Sequence, residues 1–232
     1  MNKQKPLYLL AGGRGSSNNA IFKAVLREIG KPHPVVGFVG AANEDDPRFF
    51  SFMGAEIKRA LNCTLIQAMT VPAKADIPKA REILESVDAV FMAGGDVEVG
   101  MQVLEQKKLT LFLRKLYEQG KVFFGGSAGS IMLAREWVRW RNPDDDSTAE
   151  LFPCLGIAPV ICDTHAEEDD WIELKTALKL KGINSIGYGI PSGACLKINP
   201  DGEIEALGKA VARYTVRQAQ QVESLSDLAP AG

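Results

Sequence analysis

The run Lys121-Val122-Phe123-Phe124-Gly125-Gly126-Ser127-Ala128-Gly129-Ser130 places an apolar strand, a glycine-flanked serine and a helix opening end to end. Its centre, residues 125–129, matches G-x-S-x-G, the pattern of a nucleophile elbow. Val122-Phe123-Phe124 reads as a buried strand, and Ile131-Met132-Leu133-Ala134 as the start of a helix. A serine at such a turn adopts a strained backbone conformation, for which the flanking glycines make room. The turn lifts the hydroxyl clear of the sheet edge. It also aims the first helical N–H groups at the space in front of the hydroxyl, where the dipole favours negative charge. A tight turn carrying an ordinary serine is the plainer reading. The complete five-residue pattern between strand and helix favours the catalytic one.

Outward from the elbow, apolar runs alternate with helical periodicities. Strands are expected over residues 6–11, 35–39, 63–69 and 89–93, with 122–124 as the fifth. Helices are expected after Asn18, ending at Gly30; after Asp46-Pro47, with Pro in the first turn; after Asp76 as N-cap; and between Val97 and about Gly120. Beyond the elbow, residues 141–153 read as a polar loop able to overhang the site, and 156–163 as a strand ending near His165. Thr164 to Glu167 has capping-box spacing, giving a helix over about 166–181. Short late strands follow at 184–188, 194–198, 203–207 and 210–216, and 217–232 reads as a poorly packed polar tail. The β-α-β-α rhythm predicts a single doubly wound α/β domain over 1–216, its sheet mostly parallel and helix-covered on both faces, with short late antiparallel strands.

Composition narrows the function. The chain has 232 residues, 46% hydrophobic and 24% charged, with a net charge of −2. That balance gives no electrostatic reason to expect nucleic acid or an anionic membrane as partner. No apolar run approaches the ~20 residues of a membrane span, and no signal peptide is evident. Cys63, Cys154, Cys162 and Cys195 sit in apolar contexts without a C-x-x-C pair, as buried free thiols of a reducing cytoplasm do. With two histidines and no cysteine cluster, no metal site is expected. Gly13-Arg14-Gly15-Ser16-Ser17-Asn18 invites a dinucleotide reading but lacks the third glycine and the acid after strand two, so no cofactor is expected.

A serine hydroxyl needs a base within reach. His33 precedes strand two, at the edge opposite the elbow. His165 follows a strand and so falls on the elbow's side, which pairs Ser127 with His165. An oxyanion hole needs two N–H donors: Ala128, the residue after the nucleophile, and one from the loop Gly94-Gly95-Asp96.

Phe91-Met92-Ala93-Gly94-Gly95-Asp96, then residues 125–129, then Asp163-Thr164-His165, resemble in order and spacing the peptidase E (aspartyl dipeptidase) and cyanophycinase family of serine peptidases. The resemblance runs to about Val216. It implies a class I glutamine-amidotransferase-like, flavodoxin-like fold, Ser127 as nucleophile, His165 as general base, and Gly95 with Ala128 as oxyanion hole. The implied substrate is a small peptide or amide, and homodimerisation is left open.

Two departures stand out. Family members usually place a triad glutamate where this chain has Ser192, which leaves Asp163 or Ser192 as candidates for the third position. A hydroxyl can orient an imidazole but does not stabilise imidazolium as a buried carboxylate does. Cyanophycinase-like members also carry arginines after the histidine, where this chain has Glu167-Glu168-Asp169-Asp170. Those acids would favour a basic ligand, or simply form a negative first helical turn. The resemblance implies that Arg139 and Asp144 hold an acidic side chain or the substrate's amino group, with Arg139 reading equally as a solvated helix-end cation; Asp96 is the remaining candidate for binding substrate. The reading that results is a cytoplasmic serine-type hydrolase acting through an acyl-enzyme. Its alternative is a weakly active or non-catalytic ligand-binding member of the same fold. Amidotransferase chemistry is disfavoured, because it uses a cysteine where this chain has Ser127.

Overall fold

The computed structural model describes residues 4–12, 17–71, 75–218 and 221–231. The glycine-rich stretch 13–16, which raised the nucleotide reading, lies outside them. The first half alternates regularly: β1 (Leu7–Leu10), α1 (Ser17–Ile29), β2 (Val35–Val39), a 3-10 turn (Ala41–Asn43), α2 (Pro47–Leu61), β3 (Thr64–Gln67), α3 (Ile77–Ser86), β4 (Ala89–Met92), α4 (Val97–Gln106), α5 (Thr110–Glu118), β5 (Val122–Gly126) and α6 (Ala128–Leu133). Then come β6 (Glu136–Trp140), β7 (Ala149–Pro153), β8 (Ile161–Thr164), α7 (Ile172–Lys181), β9 (Ile186–Ile190), β10 (Cys195–Ile198), β11 (Ile204–Leu207), β12 (Val211–Val216) and β13 (Val222–Leu228).

The expected caps form. Asp46 accepts the N–H groups of Arg48 and Phe49 ahead of Pro47, and Asp76 accepts that of Lys79. Strands β1 to β5 make a parallel core in the order β1-β5-β4-β2-β3, extended beyond β1 by antiparallel β10 and β11. Strand alternation splits the unbroken apolar runs between two layers. Leu7, Leu9, Met92 and Phe123 face the side covered by α3 to α6, while Tyr8, Leu10, Phe91 and Phe124 face α1 and α2. On that second side Phe50, Phe38, Phe91 and Phe124 stack in sequence, with ring centroids 5.0, 5.6 and 4.9 Å apart.

The short late antiparallel strands divide between two sheets: β10 and β11 extend the first, while β8, β9, β12 and β13 build a second, ordered β13-β12-β9-β8, in which β8 and β9 are parallel. Three sequence expectations are corrected. Residues 217–232 are not merely a loose tail, since β13 pairs antiparallel with β12; the alternation of polar and apolar residues from Val222 to Leu228 is what a half-exposed edge strand looks like. Residues 141–153 are not all loop, because 149–153 form β7, the partner of β6 in a hairpin. The helix over about 166–181 begins only at Ile172, after a turn in which Asp170 and Trp171 have φ of 49° and 57°.

The elbow helix α6 is short and buried at every position. It lies so close to β4 that a Cβ on Gly129 would stand 2.0 Å from the Met92 carbonyl oxygen. Gly129→Ala should therefore force α6 off the sheet and lower stability by at least about 2 kcal/mol in chemical denaturation. An unchanged midpoint would contradict this packing.

Candidate active site

Ser127 joins β5 to α6 with φ 54° and ψ −128°, a conformation costing roughly 1–3 kcal/mol for a residue with a Cβ. What holds it there is on both sides. The Leu10 carbonyl at the end of β1 accepts the Ser127 N–H at 2.9 Å and the buried Ser130 hydroxyl at 2.8 Å. Behind it, Ile131, Met132 and Leu133 are buried, each contributing about 1.5–3 kcal/mol. Burial exceeds strain, and the serine stays presented.

His165 reaches the same place from the other sheet. It follows β8 at φ 45°, and its N–H donates to the Ile190 carbonyl at 2.9 Å. The site therefore lies where the carboxyl end of β5 meets the carboxyl end of β8, between two sheets rather than along one. Ser127 Oγ and His165 Nε2 are 2.7 Å apart. With the ring proton on Nδ1, the hydroxyl donates to Nε2. His33 is exposed on the far side, its Nδ1 2.9 Å from the Asn62 amide.

The loop Gly94-Gly95-Asp96 is pinned by the 3-10 turn 41–43, which the sequence reading did not single out. Asn43 Nδ2 donates to the Gly94 carbonyl at 2.8 Å, and the Asp96 N–H donates to the Ala42 carbonyl at 2.7 Å. Gly95 sits at φ 144°, and a Cβ there would lie 2.0 Å from the Ala42 carbonyl oxygen, so only glycine fits. Gly95 and Ala128 both border the cleft. Among the described residues, neither of their N–H groups has an acceptor within the chain.

The other candidates separate. Asp96 borders the cleft, but its Oδ1 caps α4 by accepting the Val99 N–H at 2.9 Å. Arg139 lies in β6, paired with Glu98 at 2.5 Å and Glu150 at 2.8 Å and stacked over Phe152; no part of it borders the cleft. Asp144 is exposed at the tip of the β6–β7 hairpin, also away from the cleft. Neither suggested third triad member is hydrogen-bonded to the imidazole: among the described residues, Ser127 Oγ is the ring's hydrogen-bond partner. The Ser192 N–H donates to Glu167 Oε1 at 2.7 Å, so Glu167 ties the loop after β9 to the turn after β8. The capping box expected of Thr164 and Glu167 does not form, because Thr164 is the buried last residue of β8.

The cleft, about 310 Å³ in volume, is bordered further by Trp137, Asp163, Asp169, Ile172 and Glu173. Trp137 Nε1 donates to Glu173 Oε2 at 2.7 Å. Glu173 and Trp137 were not legible as site residues, because what brings them to the cleft is the β6 hairpin crossing α7. Burial, then the nearby Glu173 carboxylate, push the Asp163 carboxyl up to about 7. Burial likewise raises Glu173, with Asp169 and Asp96 adding to the effect and the Trp137 bond opposing it.

Residues 7–205 match the model of peptidase family S51. The chain belongs to that family, the group of the peptidase E and cyanophycinase proteins. It is 24% identical over 182 residues to the cyanophycinase of Synechococcus elongatus, covering 75% of this chain and 56% of that one. With the cyanophycinase of Geminocystis herdmanii the identity is 26% over 144 residues, covering 60% of this chain and 53% of that one. The chain thus spans little more than half the length of these relatives. Among solved structures, a peptidase from an acI-B1 Actinobacterium shares the fold at TM-score 0.73 and 18% identity, covering 99% of this chain and 95% of that one. A candidate peptidase E of Listeria monocytogenes EGD-e does so at 0.65 and 15%, covering 88% and 98%. Among the described residues, no helix is long and apolar enough to cross a membrane.

The raised Asp163 carboxyl carries a stability consequence. Its folded pKa, about 7, lies above the ordinary 3.8, so folding binds a proton between those values and stability falls as pH rises through that window. Asp163→Asn should therefore gain stability over wild type as pH rises from about 4 to 8, levelling at roughly 4 kcal/mol. Parallel thermal or urea melts across that range would check it; a constant difference would contradict it.

Proposed function

We propose that this protein is a serine-type hydrolase that cleaves a small peptide or amide bond through an acyl-enzyme. The observation that carries the reading is the 2.7 Å contact between Ser127 Oγ and His165 Nε2 at a cleft edged by two glycine-permitted turns. As Oγ attacks the scissile carbonyl carbon, Nε2 takes its proton. The carbonyl oxygen becomes an oxyanion facing the N–H groups of Gly95 and Ala128, donors fixed before the charge develops. Collapse of this tetrahedral species breaks the C–N bond, and Nε2–H protonates the departing amine. Water then attacks the seryl ester with Nε2 as base, the acid leaves, and Oγ regains its proton. Membership of a peptidase family and the presented serine both support this course.

One observation favours a slower version of the same chemistry. Among the described residues no carboxylate is hydrogen-bonded to the His165 ring, so the counter-charge for imidazolium comes at a distance, from the Glu173 carboxylate across the cleft. That weakens general-base catalysis without removing the oxyanion hole.

Incubation with a fluorophosphonate probe should label Ser127, identified by peptide mass spectrometry. Ser127→Ala should abolish labelling and lower kcat/KM on any cleaved dipeptide or amide by at least about 10³-fold. Absence of labelling, or unchanged turnover in Ser127→Ala, would overturn the assignment.

A further inference from the structure

Gly94 lies against the nucleophile: a Cβ on it would stand 3.1 Å from Ser127 Cβ and 3.6 Å from Ser127 Oγ. In a planar trans peptide the carbonyl of one residue and the N–H of the next point in opposite directions. The direction of the Gly94 carbonyl therefore decides whether the Gly95 N–H faces the cleft. Two consecutive glycines offer that plane little steric resistance to turning over, since neither carries a Cβ. Its orientation has to be fixed from outside the pair.

The 3-10 turn 41–43 fixes it from both sides. The Ala42 carbonyl accepts the Asp96 N–H at 2.7 Å, which holds the peptide after Gly95. Asn43 Nδ2 donates to the Gly94 carbonyl at 2.8 Å, which holds the peptide before it. The turn is itself well seated. The Gly40 carbonyl accepts the N–H groups of Asn43 and Asp45 at 3.1 and 2.9 Å. The buried Asp45 carboxylate accepts those of Thr70 and Val71, beyond β3, at 2.5 and 2.7 Å. Asn43 does not border the cleft, so any influence it has on the reaction passes through the glycine pair.

We infer that Asn43 is a positioning residue for the oxyanion hole. By holding the Gly94 carbonyl it aims the Gly95 N–H at the cleft, and by polarising that peptide it strengthens the N–H as a donor. The catalytic consequence rests on the hydrolase reading above; the orientation of the peptide does not. Turned over, the same peptide would point the Gly94 carbonyl at the developing oxyanion and its N–H at position 43. An amide donor at position 43 opposes that state. A carboxylate there, an acceptor only, favours it.

Asn43→Asp therefore separates orientation from stability. Glycine labelled with ¹³C′ and ¹⁵N selects the N–H groups that follow another glycine, and the chain has three: Gly13, Gly95 and Gly126. In the free full-length protein the Gly95 N–H should exchange rapidly with water. In Asn43→Asp its exchange should slow about tenfold, as expected of a hydrogen bond to a charged group. A turn that was merely loosened would exchange faster instead. Fluorophosphonate labelling of Ser127 should slow by at least about tenfold in Asn43→Ala and by about 10²-fold in Asn43→Asp, the cost of losing one oxyanion donor. Thermal melts establish that each variant compared is folded, and Asn43→Ala decides the labelling arm if Asn43→Asp is not. Unchanged or faster Gly95 exchange in folded Asn43→Asp, or labelling as fast as wild type in either folded variant, would overturn the inference. Absence of labelling in wild type, with Gly95 protected in Asn43→Asp, would instead remove the hydrolase and leave the hold of Asn43 on the peptide standing.

Discussion

The position of the Leu10 carbonyl at the end of β1 sets the geometry of the whole site. It accepts both the Ser127 N–H and the Ser130 hydroxyl, fastening the first turn of α6 to the strand that neighbours β5 in the sheet. Without that fixture, a serine at φ 54° would relax, its hydroxyl would leave the cleft, and the Ala128 N–H would swing with it. The hydrogen bonds are worth about 1 kcal/mol each, so they do not hold the turn alone. Burial of α6 against β4 and β8 supplies the rest. The elbow is stable because its helix is core, not because its turn is comfortable.

From that constraint the division of labour between the sheets follows. The parallel sheet brings the nucleophile and both turns bearing candidate oxyanion donors. The second sheet brings the imidazole, through the β8–β9 pair and the bond from His165 N–H to Ile190. Helix α7 and the β6–β7 hairpin close the remaining side with Trp137, Ile172 and Glu173. The reactive pair thus spans two independently built halves, and their registry depends on the core between α6 and β8. The same arrangement explains the electrostatics: α7 crosses close to β8, so Asp163 and Glu173 share a poorly solvated corner where burial raises both, and the Glu173 carboxylate adds to the cost of ionising Asp163.

Much of this was legible in the residues. Val122-Phe123-Phe124 could only be a buried strand, and the glycines around Ser127 and at Gly94-Gly95 mark places where backbone meets backbone. The Ser127–His165 pairing was also reachable, although strand order alone suggests one shared sheet edge and the two residues follow strands of different sheets. Elements after the elbow were harder. Four-residue strands such as Ile161–Thr164 carry too little periodicity to reveal which sheet they join, and Val222–Leu228, half polar, reads as tail until β12 is there to pair with it. Glu173 and Trp137 had no local signal at all, because a hairpin crossing a helix is a tertiary event. Arg139, a candidate only through the family resemblance, is claimed by Glu98 and Glu150, which arrive from other elements.

The central claim is that His165 Nε2 accepts the Ser127 hydroxyl proton in the resting protein. The chain has two histidines, so its imidazole nitrogens can be followed by long-range ¹H–¹⁵N correlation NMR with His33 as an internal reference. The account predicts a neutral His165 ring protonated on Nδ1, whose Nε2 resonance shifts in Ser127→Ala while that of His33 stays in place. A His165 ring protonated on Nε2, or one whose resonances ignore the loss of the hydroxyl, would contradict it.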